Sequence, residues 1–124
     1  MTTLSATVDA YLSGWNETDP QKRASIVESV WAANGCLIDP PLAATGPEEI
    51  SNMAAALQSQ FPDHHFVRTS GVDEHHNQFR FGWDLVAADG AVSLSGVDVG
   101  ELSDDGSIAR ITGFFGELPS ADAS

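Results

Sequence analysis

The hydrophobic pattern of this chain changes period once, at Pro62, and that switch limits the folds open to it. Before Pro62 the apolar residues recur three and four positions apart, as on one face of a helix; after it they alternate, as on a strand with one buried side. Leu4, Val8, Tyr11, Leu12 and Trp15 form a single helical stripe, which Asn16 to Thr18 ends. Asp19 then caps a second helix with Pro20 at its first position; Ile26, Val27, Val30 and Trp31 supply its buried face, and Asn34-Gly35 stops it. Cys36 to Asp39 reads as a short strand. Pro40-Pro41 make the segment to Thr45 a loop, because proline suits neither a helix interior nor a strand ladder. A third helix starts at Gly46-Pro47, with Glu49 in its first turn and Ile50, Met53, Ala54, Leu57 and Phe61 on its apolar side.

Four strands follow, Phe66 to Val72, Gln78 to Ala87, Ala91 to Leu102 and Ser107 to Phe115, divided by turn signals at His75-His76-Asn77, Ala88-Asp89-Gly90 and Asp104-Asp105-Gly106. Connections this short predict antiparallel neighbours. Helices first and strands after is an α+β pattern. The expected architecture is three helices packed on a strongly curved, mainly antiparallel sheet, forming a cone with a pocket inside. At 124 residues there is room for one core, so residues 1–119 are expected to form one domain and 120–124 a flexible C-terminal tail.

Composition narrows the function. With 42% apolar and 19% charged residues the chain matches an ordinary soluble globular protein. Eighteen acidic residues against five basic ones give a formal net charge of −13, which repels nucleic acid and anionic membrane surfaces. No apolar run approaches the ~20 residues of a membrane span, and Met1 to Trp15 lacks the basic start and apolar stretch of a signal peptide. The expectation is a cytoplasmic protein without membrane or nucleic-acid partners. The single cysteine, Cys36, has no partner for a disulfide or a metal motif and reads as a small buried hydrophobe.

Strand alternation places Val92, Leu94, Gly96, Asp98, Gly100 and Leu102 on one face, so Asp98 is a carboxylate among apolar and glycine positions. Burial would push its pKa up and leave it neutral near pH 7, unless it pairs with Arg110 on the neighbouring strand, an alternative of equal weight. Phe79, Phe81, Trp83 and Leu85 share a face of the preceding strand and would wall a pocket for a flat apolar molecule. Tyr11 carries a hydroxyl into the interior, where it needs a partner, or bonds a backbone carbonyl. Asp39 stands before Pro40, where a carboxylate also commonly caps a turn. His64, His65, His75 and His76 lack the spacing of a metal site, because neighbours on a strand point to opposite faces; no metal is expected, and His64 or His65 is placed at the pocket mouth. Neither GxGxxG, GxxxxGK[ST] nor GxSxG occurs, so no cofactor is expected.

Three segments, taken in order, resemble the NTF2-like superfamily and its SnoaL-like and ketosteroid-isomerase-like branch. They are Tyr11-Leu12-Ser13-Gly14-Trp15-Asn16, the Ile38-Asp39-Pro40 step before Gly46-Pro47-Glu48-Glu49-Ile50, and Gly96 to Leu102 leading through Asp105-Gly106 to Ile111-Thr112-Gly113-Phe114-Phe115-Gly116. The resemblance covers Val8 to Gly116. It implies that Tyr11, Asp39 and Asp98 match the catalytic positions of ketosteroid isomerases, with Asp39 as general base and Tyr11 and a protonated Asp98 as donors to an oxyanion. In the SnoaL-like cyclases the carboxylate matching Asp98 is instead the acid or base of an aldol closure. Trp15, Trp31 and Trp83 fill space a steroid needs, so a smaller substrate is expected. The ligand-contacting set read here is Trp15, Trp31, His65, Phe81, Trp83 and Phe114. The implied function is a cofactor-independent isomerase or cyclase of a small, largely apolar carbonyl compound, or else a pocket that binds a small molecule without turning it over. A homodimer through the outer sheet face, carried by Val97, Val99, Ala109 and Ile111, completes the expectations.

Overall fold

The computed structural model describes residues 3–122; the last two residues of the expected tail, Ala123 and Ser124, lie outside them. Helix α1 (Leu4–Asn16) is capped by Thr3, whose side chain accepts from the Ala6 N–H at 3.1 Å. Helix α2 (Pro20–Val30) is capped by Asp19 Oδ1, which accepts from Gln21 and Lys22. Helix α3 (Pro47–Gln60) begins after Gly46 at φ 86°, and the Glu49 carboxylate accepts the Thr45 N–H at 3.0 Å. Arg23, buried on α2, ties the three together: it donates to the carbonyls of Glu17 and Thr18 and to Gln58 Oε1 on α3, while Gln58 donates to the carbonyls of Trp15 and Glu17. The free carbonyls at the end of α1 are thereby satisfied from both neighbouring helices.

Seven strands make one open sheet: β1 (Trp31–Ile38), β2 (Ala43–Thr45), β3 (His65–Arg68), β4 (Asp73–His75), β5 (Gln78–Val86), β6 (Val92–Leu102) and β7 (Ile108–Phe115). Their order is β2-β1-β7-β6-β5-β3, with β4 on β5. All pairings are antiparallel except β1 with β7. The α+β class, the three helices and the three long strands match the sequence reading.

Five local readings change. The second helix stops at Val30, not at Asn34-Gly35, because Trp31 pairs with Ile108 and enters β1. The stretch to Thr45 is not all loop: Pro40-Pro41 turn the chain, and Ala43–Thr45 return as β2 against Cys36–Ile38. The strand expected over Phe66 to Val72 ends at Arg68, and the turn expected from His75 onward starts one residue later, at His76-Asn77, where both residues have positive φ. Ile111, expected on the outer face, is fully buried. Its β7 neighbour Arg110 pairs with Glu101 and Ile108 with Leu102, so Ala109 is an extra residue in the ladder and the alternation shifts across it. Cys36 is free and half-buried. No helix among the described residues is long and apolar enough to cross a membrane.

The core fills the space between the helices and the concave face. It holds Val8, Tyr11, Leu12 and Trp15 from α1, Val27 and Val30 from α2, Ile50 and Ala54 from α3, and Phe79, Phe81, Trp83, Leu85, Ile108 and Ile111 from the sheet.

Candidate active site

Asp98 faces inward on β6 and is 6% exposed. Its neighbours two residues away on the same face are Gly96 and Gly100, paired across the ladder with Trp83 and Phe79. A side chain at Gly96 would collide with the Trp83 indole, so glycine there lets the ring lie across β6. In that pose Trp83 Nε1 donates to Asp98 Oδ1 at 3.1 Å. The other oxygen, Oδ2, accepts the Tyr11 hydroxyl at 2.8 Å. Tyr11 is itself buttressed by the rings of Trp31 and Phe81, with centroids 5.9 and 6.1 Å away.

Burial pushes the Asp98 carboxyl up to about 6; the two donated hydrogen bonds hold it lower than burial alone would, and the charge of Asp39 raises it further. The raised pKa is the one expected from burial, and the two fixed donors, which favour the carboxylate, keep it close to neutrality. Tyr11 is raised well above its ordinary value by burial and then by Asp98. Arg110 lies on the outer side of β7 near Thr112, so the pairing with Asp98 is not formed.

Asp39 follows β1 at the Pro40 turn. Its Oδ1 accepts the Leu42 N–H at 2.9 Å, so the turn-capping role is real, and the same carboxylate reaches the interior. Partial burial raises its pKa. Between the two carboxylates is Gly113, the residue opposite Asp98 on β7. A Cβ there would stand 3.0 Å from both Asp39 Cβ and Asp98 Oδ1. Glycine there lets the two acidic residues pack this closely.

Tyr11, Asp39 and Asp98 all line one cavity of about 190 Å³. Trp15 and Trp83 line it as well. Its wall also includes Leu12, Leu37, Leu57, Phe61, Phe66, Leu85, Leu94, Ile111 and Phe115, with Gln60 as a further polar group. Four of the residues expected to contact a ligand stand elsewhere. Trp31 and Phe81 are buried behind Tyr11 and position it. His65 is exposed because the alternation of β3 turns Phe66 inward. Phe114 is 58% exposed and Phe115 takes its place, since the inward parity of β7 runs through Ile111, Gly113 and Phe115. His64 packs on Phe61, with its ring nitrogens 2.9 Å from the Pro62 carbonyl and Ser93 Oγ. Among the described residues no three His, Cys, Asp or Glu side chains gather as a metal site.

Neither a protein-family model nor a curated protein sequence matches the chain. Solved structures do. A SnoaL-like family protein from Agrobacterium tumefaciens strain C58 superposes with a TM-score of 0.86 at 34% identity, over 90% of this chain and 95% of that one. The chain belongs to the SnoaL-like family. More distant members of the same fold include a SnoaL-like polyketide cyclase, so designated provisionally, from Jannaschia (TM-score 0.68, 16% identity, over 93% of this chain and 89% of that one). Another is a ketosteroid-isomerase-like protein from Catenulispora acidiphila in complex with trimethylamine (TM-score 0.70, 17% identity, over 98% and 90%). At these identities the likeness is one of fold alone. The Agrobacterium protein shares this arrangement of helices on an open sheet, and the site here lies between the two layers.

Proposed function

We propose that this SnoaL-like protein is a cofactor-independent isomerase or cyclase that forms an enolate from a small, largely apolar carbonyl compound. The observation that carries the reading is Asp98: a carboxylate in a dry, ring-lined cavity, gripped by two donors and titrating at about 6, close to where a general base works best near neutral pH. In this reading Asp98 Oδ takes the α-hydrogen as a proton, the C–H electron pair forms the enolate C=C bond, and the carbonyl π pair moves onto the oxygen. Protonation of Asp98 frees the Tyr11 hydroxyl to turn from Oδ2 and donate to the new oxyanion. Asp39, on the other side of Gly113, fixes the substrate's orientation. These roles follow the cyclase assignment of Asp98 more closely than the ketosteroid-isomerase one, because a carboxylate already accepting two hydrogen bonds is a base before it is a donor. The Agrobacterium relative carries a provisional designation as an isomerase, in keeping with proton-transfer chemistry.

The test is hydrogen exchange. Small cyclic ketones incubated with the protein in deuterated buffer are expected to take up deuterium at the α-carbon, seen by proton NMR, and the Asp98→Asn variant is expected to lose that activity. Ketones that bind without exchange would leave a pocket that holds its ligand unchanged and would end the catalytic reading.

We also infer a homodimer through the outer sheet face. Val97 and Phe114 are direct cross-strand neighbours, 40% and 58% exposed, with Val99 and Val67 on the same uncovered side.

A further inference from the structure

Among the described residues, the wall of the cavity carries two carboxylates and no lysine, arginine or histidine. Asp98 is partnered only by neutral donors, Tyr11 and Trp83, and the charge of Asp39 works against its own. The negative charge inside therefore has no countercharge, in a chain whose formal net charge of −13 draws cations and repels anions. Six rings, those of Tyr11, Trp15, Phe61, Phe66, Trp83 and Phe115, surround the same space, and aromatic faces attract ammonium groups. Gly113 lets Asp39 and Asp98 approach each other along the cavity wall, since a Cβ there would stand 3.0 Å from both Asp39 Cβ and Asp98 Oδ1. At about 190 Å³ the cavity is smaller than the pockets that hold drug-sized ligands.

We propose that the ligand of this cavity is a small lipophilic ammonium ion, its nitrogen facing the carboxylates of Asp39 and Asp98 and its apolar part against Trp15, Phe66 and Trp83. The inference rests on the cavity being a small-molecule site and deepens that reading by naming the class. Carboxylic acids, phosphate esters and acyl-coenzyme A thioesters are excluded by the same charges. For the enolate chemistry the substrate is then an aminocarbonyl compound: Asp39 holds the ammonium group while Asp98 takes the α-hydrogen.

The experiment compares two molecules of the same shape, phenyltrimethylammonium and tert-butylbenzene, by quenching of the tryptophan fluorescence at pH 8. The cation is expected to bind at least about tenfold more tightly, from the charge attraction and the ring faces together. In Asp39→Asn that preference is expected to fall several-fold while the affinity for tert-butylbenzene stays unchanged, which also shows that the variant keeps its cavity. Equal binding, or tighter binding of tert-butylbenzene, overturns the ammonium proposal and leaves the cavity as a site for neutral ligands. If neither molecule binds, the small-molecule reading fails with it.

Discussion

Tyr11 and Asp98, 87 positions apart in the chain, meet in a 2.8 Å hydrogen bond in which the phenol donates to Oδ2. The bond joins the first helix to the central strand and holds the Asp98 carboxyl lower than burial alone would. Removing the hydroxyl should therefore move Asp98. In Tyr11→Phe the Asp98 midpoint is expected to rise above about 6, since a hydrogen bond that lowers it is lost. The variant should lose about 2 kcal/mol of stability at pH 8, where the acceptor is charged, and less at pH 4. Urea unfolding at the two pH values reads the difference; equal losses would contradict it.

Asp98 itself destabilises the fold at neutral pH. Its folded pKa of about 6 lies above the ordinary value of 3.8, so the charged form is disfavoured in the folded state. Stability is greatest when both states are protonated, falls as pH rises between these two values, and is flat beyond. The gap corresponds to about 3 kcal/mol. Asp98→Asn should match the wild type near pH 3.5 and exceed it by up to that amount at pH 8. An asparagine turned with its oxygen toward Trp83 and its amide toward Tyr11 keeps both neighbours bonded. Thermal melts across this range check the sign, and a large destabilisation at pH 8 would show a buried cation that the structure lacks.

Much of this site was legible in the sequence because it obeys simple periods. Asp98 was placed inside by alternation along β6, and Tyr11 by the stripe on α1. Where a residue's environment depends on partners far along the chain, the period misleads. Trp31 continues the spacing of Val27 and Val30 and so reads as helix, yet its pairing with Ile108 takes it into β1. Phe114 and Phe115 are interchangeable by composition; the extra residue at Ala109 sets the parity that chooses between them, and nothing local marks it. The Trp83 to Asp98 bond depends on the β5 and β6 register, which brings the ring over Gly96. Glycines flanking an inward acid were the available signal that a large ring crosses the strand there.

Gly113 should tolerate no side chain without loss of function. Its Cβ would stand 3.0 Å from both Asp39 Cβ and Asp98 Oδ1, tighter than ordinary contact. Gly113→Ala is expected to keep its fold, since the flanking groups need shift by only tenths of an ångström, and to slow α-hydrogen exchange by about 100-fold through misplacement of the acids. Unchanged exchange in a folded variant would mean that the ligand does not react beside Gly113.

The dimer proposal predicts that Phe114→Glu yields a monomer. A buried carboxylate beside Val97 costs several kcal/mol when unpaired, and the interface is expected to dissociate at micromolar concentration. Sedimentation velocity compares the two proteins. A wild type that is already monomeric at that concentration would refute the pairing.

Site-resolved titration of the Asp98 carboxyl carbon by NMR, assigned by its loss in Asp98→Asn, tests the account most directly. A midpoint near 6, shifted upward by Tyr11→Phe, is the predicted result. A midpoint at or below the ordinary 3.8 would mean that Asp98 is solvated or paired with a cation, and would contradict the buried, titrating base on which the proposed chemistry depends.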